Sequence, residues 1–290
     1  MQTLEALQRK IQTSGDLLSV VKTMKSLAAV NIRQYESAAA ALDQYYDIVE
    51  KGWQALFLDW GHQPHSHSGE AAVCLVLGSD QGMCGQFNDV VLERAFRHAG
   101  ELESLGQTCS FWAAGERVLS GLADGSGAAE FFSLPSSISG IGEQMNRIVE
   151  TFATWRQEKN TRILYVIHNR QEQKAMGYHP AMNRVLPLDR EWLAEKREVP
   201  WPSRCIPMLG LPEEKLFDHL LHQYLFASFF RAFAQSMASE NAARLAAMQS
   251  AEKNILEMRE RLQGSYREAR QNLITSELFD IISGFEAIME

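Results

Sequence analysis

Proline is scarce in this chain and unevenly placed. Eight prolines serve 290 residues, and none falls between Glu213 and Glu290. Only Gly264 and Gly284 weaken helix there, so no breaker interrupts a long helical segment. Cysteine is also sparse. Cys74, Cys84, Cys109 and Cys205 show no CxxC spacing, which excludes a disulfide framework and a zinc ribbon and predicts a reduced, intracellular protein. No apolar run reaches the roughly 18 residues of a membrane span. The N-terminus, MQTLEALQRK, lacks the basic start and apolar core of a signal peptide. Cations are outnumbered, and the net charge of −8 argues against nucleic acid as the main partner.

What is present is helical periodicity held over long stretches. In the last quarter, apolar residues recur three or four apart: Leu216, Leu220, Tyr224, Ala227, Phe230, Ala234, Met237, then Leu245, Met248, Ala251, Ile255, Leu262, Ala269 and Leu273. A helix of this extent is about 110 Å long at ~1.5 Å per residue. No domain of this size covers it alone, so it needs a partner helix or another protein. Residues 3–57 repeat the pattern through Leu4, Leu7, Ile11, Leu18, Val21, Met24, Ala28, Ile32, Tyr35, Ala39, Leu42, Tyr46, Val49, Trp53 and Leu56, the seam of a coiled coil. Ser14-Gly15-Asp16 interrupts that seam and predicts a local bend. Residues 1–33 carry Arg9, Lys10, Lys22, Lys25 and Arg33 against Glu5 and Asp16. Such a stripe is either a solvated face or a surface for an acidic partner.

Between the two helices the chain changes style. Ala72–Leu77 is a continuous apolar run ending at Gly78, as in a buried parallel strand. Helices are expected over 88–103 and 142–158, and strands over 109–113, 130–134 and 162–167. A short edge strand is expected at 185–188, where Pro187 cannot donate a ladder bond. Alternation of this kind implies a small open α/β domain. The expected organisation is an N-terminal helix (1–58), an inserted Rossmann-like α/β domain (70–205) and a C-terminal helix (210–290). The two long helices would pair antiparallel, as a shaft with a foot.

Gly78-Ser-Asp-Gln-Gly-Met-Cys-Gly85 follows a strand and precedes a helix, where phosphate-binding loops sit. Neither GxGxxG nor GxxxxGK[ST] is present, so a glycine turn permitting close backbone approach is preferred. The alternative is a stand-alone nucleotide-binding enzyme with helical dimerisation arms. His62, His65 and His67 lie in a Gly/Pro/Ser linker without acidic or cysteine ligands beside them, so no metal site is assigned. No GxSxG elbow occurs, and neither a catalytic residue nor a cofactor is expected.

Three segments resemble one family. Lys22-Thr-Met24-Lys25-Ser-Leu-Ala-Ala29 is similar to its basic, Met-containing N-terminal segment. Ser79-Asp80-Gln-Gly82-Met-Cys84-Gly85-Gln-Phe-Asn88 resembles its strand-end loop. Ser239-Glu240-Asn-Ala-Ala-Arg244-Leu-Ala-Ala-Met248, with 266–278, is the most specific match. The family is the gamma subunit of F-type ATP synthases, the central rotor stalk. The resemblance implies a non-catalytic subunit whose antiparallel coiled coil turns inside a ring of alpha and beta subunits. Its foot would rest on the membrane c-ring beside epsilon, peripherally, on the cytoplasmic face of the inner (plasma) membrane. Carried over by position, Lys22, Met24 and Lys25 would face the beta lever, and Arg270, Gln271 and Thr275 would contact the ring. Glu240, Arg244 and Met248 would support the shaft near the basic stretch, and Asp80, Gly82, Cys84 and Gly85 would form the foot loop. Phe285 and Ile288 would belong to an apolar tip. Gln81, Ser26 and Asn31 depart from the usual residues, and Phe226, Phe229, Phe230 and Phe233 are unusually aromatic. These departures imply a divergent branch, for which the sodium-coupled alternative ATPases are the candidate. No long insertion with paired cysteines is present, so thiol control of the chloroplast type is not expected.

Overall fold

A strict seven-residue repeat organises the first helix. The computed structural model describes residues 3–59, 71–123, 125, 127–172, 177–188, 201, 203–205 and 207–289. Helix α1 runs unbroken from Leu4 to Asp59. Leu7, Ser14, Ala28, Tyr35, Leu42, Val49 and Leu56 are all buried on it, and Val21 is half-buried in the same register. The companion positions Leu4, Ile11, Leu18, Lys25, Ile32, Ala39, Tyr46 and Trp53 complete the seam. The interruption of the seam expected at Ser14-Gly15-Asp16 is therefore absent. Ser14 sits in the seam and its hydroxyl donates to Ile11 O at 2.7 Å, so the polar group is satisfied within the helix. Gly15 faces open space, and the helix continues through it.

The last helix, labelled α5, spans Glu213–Met289. Its seam passes through Leu220, Tyr224, Ala227, Arg231, Ala234, Ala238, Asn241, Leu245, Met248, Glu252, Ile255, Arg259, Leu262, Tyr266 and Ala269, each buried or half-buried. Counting apolar residues alone follows Phe230, Met237 and Ala251 instead, one position off at three steps. The true register includes polar side chains.

The molecule divides into two compact units. One comprises residues 1–28 and 244–290, where α1 and α5 run antiparallel. The other comprises residues 29–243. Within it the same helices also pair antiparallel: Asn31 Nδ2 donates to Asn241 Oδ1 at 3.4 Å, Tyr45 bonds Gln223, and Trp53 packs edge-on against Phe217.

The second unit also holds a five-stranded sheet in the order β3-β2-β1-β4-β5. Its strands are β1 (Ala71–Leu77), β2 (Thr108–Ala114), β3 (Glu130–Phe132), β4 (Thr161–Gln171) and β5 (Tyr178–Leu186). The first four are parallel and β5 is antiparallel to β4. The helices α2 (Phe87–Ser104), α3 (Glu116–Ala123) and α4 (Ile141–Glu158) connect the strands. Alternation along β1 builds both cores. Val73, Leu75 and Leu77 face α4 and α5, while Ala72, Cys74 and Val76 face α2 and α3. The aromatic run at the start of α5 is explained here. Phe229 and Phe233 are fully buried against the sheet with Trp112, Ile148 and Leu164. Replacing either by alanine removes about 3–5 kcal/mol of packing.

Two elements escape the sequence pattern. Helix α3 is only eight residues long, too short for periodicity to declare itself. Strand β5 begins at Tyr178, not Val185, because its alternation is blurred by Pro180 and by polar residues on an edge. Pro180 is tolerated because β5 pairs on one side only. The histidine linker at 62–67 lies outside the described residues.

Candidate functional site

The loop after β1 is closed on itself. Gly78 N–H donates to Ala114 O at 2.9 Å, and Ser79 N–H donates to Asn88 Oδ1 at 3.0 Å. Asn88 Nδ2 donates to Ser79 Oγ at 2.9 Å, and that hydroxyl donates to Gln81 O at 2.9 Å. Asp80 Oδ1 accepts the Glu116 amide at 3.2 Å and so caps α3. Cys84 is buried, with its sulfur 3.6 Å from Asn88 Nδ2. Met83 and Gly85 occupy left-handed backbone at φ 62° and 61°. The turn brings the Phe87 amide to Cys84 O at 3.4 Å. A Cβ on Gly78 would lie 2.1 Å from Val118 Cγ2, so this glycine serves close packing on α3.

The Gly78 and Ser79 amides, at the strand end of the loop, are thus already bound within the protein. The loop clamps β1, α2 and α3 together. Asp80, Gly82, Cys84 and Gly85 all lie in this loop, with Gly82 beside the Arg117 guanidinium. Ser79 and Asn88 organise the loop, although only the fold shows it. Below it, Asn169 Nδ2 donates to Phe87 O at 2.7 Å, a buried tie with no signature in sequence.

On the helical unit, the site residues separate by exposure. Lys22, Arg270, Gln271 and Thr275 are exposed, and Thr275 Oγ1 donates to Gln271 O of its own helix at 2.9 Å. Met24 is half-buried, while Met248 is buried in the seam. Lys25 is half-buried. It occupies a seam position, and its Nζ lies 2.5 Å from Glu252 Oε2. That hydrogen bond holds the Glu252 carboxyl below its ordinary pKa; desolvation opposes the shift, and the charges of Lys25 and Lys22 add to it. Glu240 is buried in the other unit, and Arg244 is half-buried.

Large apolar side chains line the solvent side of both helices. Leu17, Val20, Leu27 and Val30 are exposed on α1. Leu273, Ile274, Leu278, Phe279, Ile281 and Ile282 are exposed towards the end of α5. Stripes of this kind mark protein contact surfaces. The side chains of Phe285 and Ile288 lie outside the described residues. Among the described residues no cluster of three or more His, Cys, Asp and Glu could hold a metal ion, and no helix is long and apolar enough to cross a membrane.

Comparison with known proteins gives one consistent result. The family model described as ATP synthase matches residues 3–288. An ATP synthase gamma chain of Geotalea uraniireducens (strain Rf4) is 27% identical over 299 residues, covering 99% of each chain. That of Jannaschia sp. (strain CCS1) is 26% identical, covering 99% of this chain and all of the relative. Among solved structures, a chain of the Euglena gracilis mitochondrial ATP synthase (OSCP/F1/c-ring, rotational state 3) superposes with a TM-score of 0.68. It is 18% identical and covers 98% of this chain and 94% of its own, a likeness of fold. A chain of the Tetrahymena thermophila mitochondrial ATP synthase central stalk and c-ring gives 0.56 at 18% identity, covering 80% of this chain and 99% of its own. With the family model matched over nearly its whole length, this chain belongs to the ATP synthase family, on its gamma-chain branch.

Proposed function

We propose that this chain is the non-catalytic central stalk of a rotary F-type ATP synthase, coupling ion flow to ATP synthesis or hydrolysis by turning. The observation that carries the reading is the family match from residue 3 to residue 288 on two long helices with one continuous heptad seam each. Its partners are the alpha and beta subunits, epsilon and the membrane c-ring. It lies peripheral to the membrane, on the cytoplasmic face of the inner (plasma) membrane. The coupling ion is selected in the membrane subunits.

An asymmetric shaft meets chemically identical beta subunits on different faces. Each beta conformation is then stabilised by the face it meets, so rotation shifts populations among open and closed sites. Lys22, Met24 and Lys25, beside the exposed apolar residues Leu17, Val20 and Leu27, form the lever-facing surface. Arg270, Gln271 and Thr275 form the second ring contact. Exposed ion pairs contribute little and are screened by salt, so packing of the stiff helices carries most of the torque.

The test is co-expression with cognate alpha and beta subunits, followed by native mass spectrometry and ATPase assay. One copy per alpha–beta ring, with ATP hydrolysis by the assembly, is the expected result. A stable self-dimer that ignores alpha and beta would instead indicate a coiled-coil scaffold. ATP binding by the isolated chain would point to a nucleotide-binding enzyme.

A further inference from the structure

Cys74 and Cys109 stand on neighbouring parallel strands. The register pairs Ala72 with Cys109 and Cys74 with Phe111, so both cysteine side chains point to the same face of the sheet, under α2. Their sulfurs lie 3.1 Å apart. A disulfide needs about 2.05 Å between sulfurs and Cα atoms within about 7 Å; the two-residue diagonal across strands ~4.8 Å apart sets the Cα atoms about 8 Å apart, so closure requires a local shift of β2 against β1 as well as an approach of the sulfurs by roughly 1 Å. The two thiols differ in access. Cys74 is fully buried, whereas Cys109, near the start of β2, is half-buried and reachable. The other two cysteines have no such neighbour: Cys84 contacts Ser79, Gln81 and Asn88, and Cys205 is exposed.

We infer that Cys74 and Cys109 form an oxidation-sensitive dithiol, in which Cys109 reacts with peroxide and Cys74 resolves the product into a disulfide bridging β1 and β2. The inference is independent of the rotor reading. The hydrogen bond between the two thiols lowers the pKa of Cys109, against desolvation and the charge of Glu103. The same bond, then burial, pushes the Cys74 thiol up, so it keeps its proton while Cys109 reacts.

In the first step the Cys109 thiolate attacks one oxygen of hydrogen peroxide. The O–O bond breaks, a sulfenic acid forms on Cys109, and the departing hydroxide takes up a proton to become water. In the second step the Cys74 sulfur attacks the Cys109 sulfur. The S–O bond breaks, and the hydroxyl leaves as a second water with the proton from Cys74. Two thiols and one peroxide give one disulfide and two waters, with two electrons passing from sulfur to peroxide. The bridge encloses all of α2 and ties together the two strands that flank it.

The test treats the purified full chain with hydrogen peroxide, blocks free thiols under denaturing conditions, and maps peptides by mass without reduction. A Cys74–Cys109 linked peptide, lighter by two hydrogens and restored by dithiothreitol, is expected. Cys74→Ala should leave Cys109 as a sulfenic acid that dimedone labels, at several-fold higher yield than in the unmodified chain. A Cys84→Ala/Cys205→Ser chain should still form the link. Absence of the linked peptide, equal dimedone labelling of Cys109 with and without Cys74, or a bridge to Cys205 instead would overturn the inference. The wild-type map decides the matter even if a variant fails to fold.

Discussion

His168 shows how much a single buried group can bias stability. It is fully buried on β4, with Nε2 3.0 Å from Gln235 Oε1. Burial lowers its pKa from 6.5 to about 4, partly offset by the hydrogen bond to Gln235. Above pH 6.5 the ring is neutral in both folded and unfolded chains. As pH falls towards 4, the unfolded chain takes up a proton that the folded chain refuses, and stability is lost on the order of 3 kcal/mol across the window. Below that the loss stops. His168→Gln should flatten the stability–pH curve between those values in urea unfolding; parallel curves would refute the assignment. Asn88 supplies a second case. It bonds both the amide and the hydroxyl of Ser79. Asn88→Ala should lower unfolding stability by about 1–3 kcal/mol, since the buried Ser79 amide loses its acceptor and the Ser79 hydroxyl loses the donor it accepts from. A shift under a few tenths would show that water replaces the bonds. Neither role was legible beforehand. His168 sits in no motif, and the importance of Asn88 arises from Ser79, nine positions away.

The helices were the most legible elements. Their apolar repeats located α1 and α5, because long-range periodicity survives occasional mismatches. The mismatches were misread where polar residues hold seam positions. Lys25 and Glu252 pair there, and Ser14 satisfies itself on Ile11. A method that counts apolar residues treats such positions as gaps. The structure makes Gly15 a removable weakness, since a Cβ there meets nothing within 4 Å. Gly15→Ala should raise stability by about 1 kcal/mol through helix propensity, measured as the thermal or denaturant midpoint. A loss of stability would mean that the glycine serves a bend after all. The β-elements were located where runs were apolar on both faces, as in β1. They were truncated where edge exposure mixed the pattern, as in β5.

At the scale of the molecule, function resides in surfaces meant for other proteins. The exposed apolar residues on α1 and α5 have no role within the chain's own cores. Arg270 and Gln271 lie on the α5 stretch that carries the second of these stripes. Replacing both with alanine should leave the fold intact, because both are exposed, yet lower the ATPase activity coupled to rotation in the assembled complex by several-fold. Unchanged activity and unchanged ion pumping would remove them from the ring contact. The fold itself should remain unaltered by circular dichroism, which separates a contact defect from an unfolding one.

Proline-free periodicity dictated two long helices, and apolar runs bounded by glycine dictated an α/β insertion between them. Those features follow from local chemistry: helix propensity, side-chain period and turn residues act over a few positions. The pairing of Lys25 with Glu252, the closure of the Gly78–Asn88 loop and the approach of Cys74 to Cys109 are different. Each depends on residues far apart in the chain reaching hydrogen-bonding or van der Waals distance. Their geometry is set by sheet register and helix packing, to which no single segment is sensitive. The glycine loop illustrates the division. Its composition favoured a packing turn over a phosphate cradle, and the folded neighbours, Ala114, Val118 and Asn88, decide what Gly78 and Ser79 pack against and bond to.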